Sequence, residues 1–150
     1  FTHPGTKLLF MGGEFGQTAE WNFKQSLDWH LLEHPPHQGV RACISGLNAL
    51  YRGQPALYER SFVPEGFEWI DTQDRENTVV VYARKGETPK DTLIVALNLT
   101  PVPRPNYRIG VPMMGVWEEV FNSDATEFWG SGNFMNGACM ADPIAWQGRA

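Results

Sequence analysis

A continuous apolar run, Leu8-Leu9-Phe10-Met11, ends on Gly12-Gly13 and passes straight into Glu14-Phe15-Gly16-Gln17-Thr18-Ala19-Glu20-Trp21. A strand exposed on one face alternates apolar and polar residues. An unbroken run, with turn residues Pro4-Gly5 ahead of it, reads instead as a strand buried on both faces, as in parallel sheets. Polar groups just past the C-terminal end of such a strand are where α/β barrels and open α/β sheets keep substrate-handling residues. No second β-loop-α repeat follows in the sequence. The chain therefore holds one edge of a site.

Beyond Gly13 the segment to about Pro36 is long, aromatic and polar, with a short helical candidate at Ser26 to Glu33. Loops of that length in a compact domain are usually functional or badly assigned. Val40, Cys43, Ile44, Leu47, Leu50 and Tyr51 then fall at helical spacing and predict an amphipathic helix over Gln38 to Arg52, stopped by Gly53 and Pro55. After Pro55 the period changes. Gly66 to Asp71, Thr78 to Arg84, Thr92 to Leu99, Asn106 to Val111 and Gly115 to Phe121 read as five strands with polar turns between them. Short strands with no helix between them predict an antiparallel sandwich. Residues from Ala125 onward receive no assignment. The predicted organisation is an α/β remnant over residues 1–54 followed by an all-β module over residues 55–150.

Bulk properties bound the function. Lys and Arg are scattered and the formal net charge is -5, which argues against a nucleic-acid partner. No apolar run approaches the roughly 18 residues of a membrane helix, and no signal-peptide pattern opens the chain. Cys43 and Cys139 lie far apart without metal or redox spacing, and Cys43 falls on the helix's apolar face, so a buried free thiol in a reducing cytoplasm is expected. Thr2-His3-Pro4-Gly5 reads as a connection leaving something upstream, which makes the chain a piece of a longer polypeptide.

Glu14 and Glu20 form the candidate acid/base pair, because glycosyl transfer needs two carboxylates with their pKa values pushed apart. The alternative is that both brace a site whose catalytic groups lie elsewhere, since one barrel strand cannot supply residues that usually come from several. Phe15, Trp21, Phe23 and Trp29 offer flat faces for sugar rings, against ordinary packing. His30, His34 and His37 lack the regular spacing of a metal site, with Pro35-Pro36 breaking any helix between them, and read as solvated loop histidines. Trp117, Phe128, Trp129 and Trp146 are either a secondary carbohydrate surface or packing, with Trp117 the core residue of the four. A stand-alone carbohydrate-binding module and a purely structural β module are the competing classes.

The segments Leu8 to Gln17 with Glu20-Trp21, Ser26-Leu27-Asp28-Trp29, Gly66-Phe67-Glu68-Trp69-Ile70, Asn98-Leu99-Thr100-Pro101-Val102-Pro103-Arg104, Tyr107-Arg108-Ile109-Gly110 and Trp117 to Asp124 together resemble bacterial 1,4-α-glucan (glycogen) branching enzymes, of the α-amylase superfamily. The resemblance runs in order over nearly the whole chain. It implies that Leu8 to Gly12 is the last strand of a (β/α)8 barrel, that the following helix is the last barrel helix, and that Pro55 onward is an incomplete C-terminal all-β domain. It also implies a retaining double displacement using an Asp nucleophile, a Glu acid/base and a second Asp, none of which has a counterpart here. Glu14, Gln17, Glu20 and Trp21 match the loop bordering the α-1,4-glucan cleft. No metal and no cofactor is implied. The expected partners are the glucan and the missing N-terminal barrel of the same polypeptide. Debranching enzymes are the remaining enzyme alternative, disfavoured by Thr100 to Arg104.

Overall fold

The computed structural model describes residues 1–149, which divide into two compact units. The first comprises chiefly Thr6–Leu50 and Val120–Met135. Its main element is α1 (Pro35–Gly53), preceded by a 3₁₀ turn at Trp29–Glu33 and accompanied by a second at Thr126–Phe128. The helix begins three residues earlier than predicted. Pro35-Pro36 opens it instead of breaking it, because the first turn of a helix has no use for those amide hydrogens. His34, in extended conformation, accepts at its carbonyl from the amides of His37 and Gln38 at 3.1 and 3.2 Å. The helical candidate at Ser26 to Glu33 contracts to the 3₁₀ turn.

Gly39 is the one buried residue of α1, and Gly46 lies against the Phe121 and Phe128 rings, which stack with centroids 5.2 Å apart. The apolar stripe at Cys43, Ile44, Leu47 and Leu50 is half-buried, and Val40 is exposed. Cys43 is accordingly a half-buried free thiol, not a fully buried one, and burial pushes its pKa up.

The predicted strand at Leu8 to Gly12 does not form. Extended backbone needs a neighbour for its amides and carbonyls, and the run pairs with no strand among the described residues. Its side chains stand in solvent, Leu8 at 89% and Phe10 at 58% exposure.

The second unit comprises Thr2–Gly5, Tyr51–Glu119 and the described residues from Asn136. Three strands form one antiparallel sheet in the order β1 (Phe67–Asp71), β2 (Val79–Lys85) and β3 (Thr92–Asn98). The registers place Trp69 opposite Tyr82 and Tyr82 opposite Val95, with an irregularity between Trp69 and Asp71. β2 is the central strand, and its run Val79-Val80-Val81-Tyr82-Ala83 suits a pleated surface packed on both sides. Val79, Val81, Tyr82 and Ala83 are buried, together with Val95 from β3 and with Ala56 and Leu57 from the 3₁₀ turn Pro55–Leu57. β4 (Val116–Glu118) and β5 (Ala138–Met140) form a separate two-stranded antiparallel sheet. The alternating segment Asn106 to Val111, predicted as a strand, has no ladder partner among the described residues and stays irregular. Gly115 to Phe121 is shortened to the three residues of β4. Trp117 is half-buried there, its indole donating to the Met113 carbonyl at 3.1 Å.

Glu68 on β1 is paired with Lys85 and with Arg149. Those two partners, Lys85 first, hold its carboxyl below the usual glutamate range. A depressed carboxyl stabilises the fold above its unfolded pKa, near 4.5, and that contribution disappears as pH falls through the lowered folded value. Glu68→Gln is expected to cost no more than about 1 kcal/mol at neutral pH, since the pair is partly exposed. It should also flatten the acid limb of the stability profile, read as thermal midpoints between pH 6 and pH 3. A parallel downward shift of both acid limbs would show that Glu68 is not responsible.

Candidate functional site

The loop after Met11 folds on itself around one carbonyl. The Gly12 carbonyl accepts from the amides of Phe15 at 3.3 Å and Gln17 at 2.9 Å, while Gly13 N–H reaches back to the Phe10 carbonyl at 2.8 Å. Gly12 sits at φ +82°, and a Cβ there would lie 2.6 Å from the Gln17 Cβ. Only glycine meets both demands.

Phe15 is fully buried, its ring 5.1 Å from that of Trp29. Its carbonyl lies 2.8 Å from His37 Nδ1 in the first turn of α1, and the His37 tautomer that carries hydrogen on Nδ1 makes this a hydrogen bond. His37 is thus a helix residue that anchors the loop, not a solvated loop histidine. Gln17 performs a similar task on the other side. Its Oε1 accepts from Asp28 N–H at 3.0 Å and its Nε2 donates to the Ala19 carbonyl at 3.3 Å. Asp28 leads into the Trp29–Glu33 turn, so Gln17 fixes where that turn starts.

The remaining loop residues point the other way in chemistry. Glu14 is half-exposed and Glu20 exposed, and among the described residues neither has a hydrogen bond or ion pair. Trp21 is 43% exposed, edge-on to Phe10 at 5.4 Å and tilted against Phe23 at 6.1 Å. Two uncommitted carboxylates and an open aromatic cluster are suited to hydroxyl-rich ligands: the carboxylates accept from hydroxyls and the rings take C–H faces. Sequence reasoning named the four residues but missed the division between them, with Gln17 spent on the loop itself. It also missed His37 as the anchor. The signal was available in Pro35-Pro36, which marks a helix start as readily as a break. Among the described residues no group of three or more His, Cys, Asp or Glu is arranged to hold a metal ion, and no helix is long and apolar enough to cross a membrane.

Comparison with known proteins adds an independent line. The chain is 52% identical over 149 residues to the 1,4-alpha-glucan branching enzyme GlgB of Aquifex aeolicus, covering 99% of this chain and 24% of that protein. It is 54% identical over 149 residues to that of Nitrosococcus oceani, covering 99% of this chain and 20% of the relative. With the enzyme of Marinobacter nauticus the identity is 50% over 151 residues. The chain thus spans only 20–24% of the length of these relatives. A family described as the alpha amylase C-terminal all-beta domain matches residues 69–150, the stretch that carries most of β1, all of β2 to β5 and the segments between them. With more than half of its length matched and the antiparallel sheets in place, the chain belongs to the alpha amylase C-terminal all-beta domain family.

Proposed function

We propose that this chain is the C-terminal part of a 1,4-α-glucan branching enzyme, comprising the end of a catalytic (β/α)8 barrel over residues 1–54 and the all-β domain over residues 55–150. The observation that carries the reading is identity of about half the residues across 99% of the chain with branching enzymes, including the loop ahead of the matched domain. The solvent-exposed run Leu8 to Met11 supports it: an apolar strand sequence without a pairing strand is what remains when its neighbours belong to another part of the polypeptide.

In that reading the enzyme cleaves an α-1,4 linkage, holds the released segment as a covalent glycosyl intermediate, and transfers it to a 6-hydroxyl of a glucan with net retention. The Asp nucleophile, the Glu acid/base and the second Asp stand outside this chain, which alone catalyses nothing. Glu14, Glu20 and Trp21 border the glucan cleft, and Gln17 braces their loop. The two free thiols suit the reducing cytoplasm.

An antibody against this segment, used on fractionated extract of the source cells, tests the reading. A cytosolic species several times heavier than 16.9 kDa is expected. When purified, it should convert amylose to a product that loses iodine colour and is cut by an α-1,6-specific debranching enzyme. A native species of the chain's own mass, or a large one that leaves amylose linear, would overturn it.

A further inference from the structure

An open cleft of about 680 Å³ lies within the β module, between the turn after β1 and the segment that follows β3. Its volume falls inside the roughly 300–1,000 Å³ typical of small-molecule sites. Asp71, Asp74, Arg104, Tyr107, Arg108 and Trp146 line it. Two carboxylates oppose two guanidiniums, so the cleft has no net charge to offer an anion or a cation.

What it offers is oriented hydrogen-bonding capacity. Asp74 accepts from the side chain and backbone of Asn77 and, at 2.8 Å, from the Tyr107 hydroxyl. Those bonds, Asn77's first, hold its carboxyl below the usual range. Burial and the carboxylate push the Tyr107 phenol up to about 12. At neutral pH, Tyr107 therefore donates to Asp74 and turns its lone pairs elsewhere. Arg104 lines the cleft and donates Nη2–H to the Asn77 carbonyl at 3.4 Å, which orients its guanidinium, a group able only to donate.

Trp146 supplies the apolar component. Its indole N–H donates to the Arg108 carbonyl at 3.1 Å, the Arg108 guanidinium lies 4.7 Å from its ring centroid, and the residue remains 44% exposed. The ring is held in place before any ligand arrives, which lowers the entropy lost on binding.

A ligand that is neutral, donates and accepts through neighbouring hydroxyls and presents a C–H face meets all of these features. We propose that the cleft is a second carbohydrate site, taking a short stretch of a linear α-1,4-glucan against Trp146, Tyr107 and Arg104. The polarity argument selects a neutral saccharide by itself; the choice of an α-1,4-linked one rests on the branching-enzyme reading.

The native polypeptide, incubated with maltoheptaose and followed by hydrogen–deuterium exchange, reads the site locally. Protection of residues 104–111 and 146–149 is expected, absent with cellohexaose. In Trp146→Ala the saccharide concentration giving half-maximal protection should rise at least fivefold, and in Trp146→Phe about twofold. Arg104→Met should weaken protection without a loss of thermal stability. Unchanged exchange of these segments at saturating maltoheptaose overturns the proposal, as does equal protection by cellohexaose. If the polypeptide shows this protection yet fails to branch amylose, the cleft stands and the branching-enzyme reading falls.

Discussion

Arg84→Ala is expected to remove about 4 kcal/mol of stability from the β module, the largest effect of any side-chain truncation in it. Arg84 ends the apolar run of β2 and is fully buried, and among the described residues it takes part in no salt bridge. Its guanidinium is satisfied by neutral groups. Nε donates to the Gly66 carbonyl at 3.2 Å, Nη1 to the Thr2 carbonyl at 2.7 Å, and Nη2 to the Leu57 carbonyl and Ser61 hydroxyl at 3.2 Å each. Burial alone disfavours the cation, as its lowered pKa reflects, so these bonds offset a desolvation penalty. Truncation strips the donor from the Thr2 and Gly66 carbonyls; the Leu57 carbonyl keeps the Ser61 hydroxyl at 2.7 Å. Arg84→Lys keeps a charge but not the fork, and should lose about 2 kcal/mol. Arg84→Met keeps the stem and should lose about 3 kcal/mol. Denaturant midpoints at unchanged m-value check the order. Methionine equal to wild type would mean that the hydrogen bonds merely offset their own burial.

Gly39→Ala should behave opposite to its propensity. In an exposed helix interior the change gains roughly 0.5–1 kcal/mol. At Gly39 the new Cβ would lie 2.5 Å from the Trp129 Cβ and 2.6 Å from the Phe128 carbonyl oxygen. Backbone cannot swing aside as a side-chain tip can, and Trp129 is already fixed in the left-handed region at φ +66°. Overpacking of this kind costs about 1–3 kcal/mol or more, so a net loss near 2 kcal/mol is expected. Gly46→Ala is the control. Its nearest neighbours are the edges of Phe128 at 3.1 Å and Phe121 at 3.2 Å, which can yield a few tenths of an ångström. The clash and the propensity gain should cancel to within about 0.5 kcal/mol. Thermal midpoints separate the two variants, and a rise for Gly39→Ala would mean that the Trp129 turn yields freely.

What could be read beforehand follows from where each signal resides. The runs Gly66 to Asp71, Thr78 to Arg84 and Thr92 to Leu99 carry β-branched and aromatic residues between polar turns, and β1, β2 and β3 match them to within a residue at each end. Their pairing is local, each strand bonding to the next. Asn106 to Val111 alternates just as cleanly but forms no ladder among the described residues, because alternation defines faces and does not provide a partner. Leu8 to Gly12, an unbroken apolar run, likewise pairs with no strand among the described residues. Arg84 was read as one more strand residue, because its acceptors at Thr2, Leu57 and Gly66 are distant in sequence. Within the loop, Glu14, Glu20 and Trp21 could be named from residue type alone. That Gln17 meets Asp28 and His37 meets Phe15 could not, since both contacts depend on how an irregular segment turns back.

The Thr2–Arg84 bond joins residues 82 positions apart, and Asp71 is tied to Gln147 across 76. A segment emerging from the ribosome N-terminus first must therefore leave Thr2 to Gly5 waiting until β2 has been made, and the turn after β1 waiting until residue 147 appears. Closures over such distances are slow relative to hairpin formation. The three-stranded meander can assemble as soon as β3 is synthesised, whereas the ties that lock both flanking segments onto it come last. Synthesis order thus leaves a window in which the sheet exists while its flanks are loose, and that window is where a chaperone or a protease would find this module.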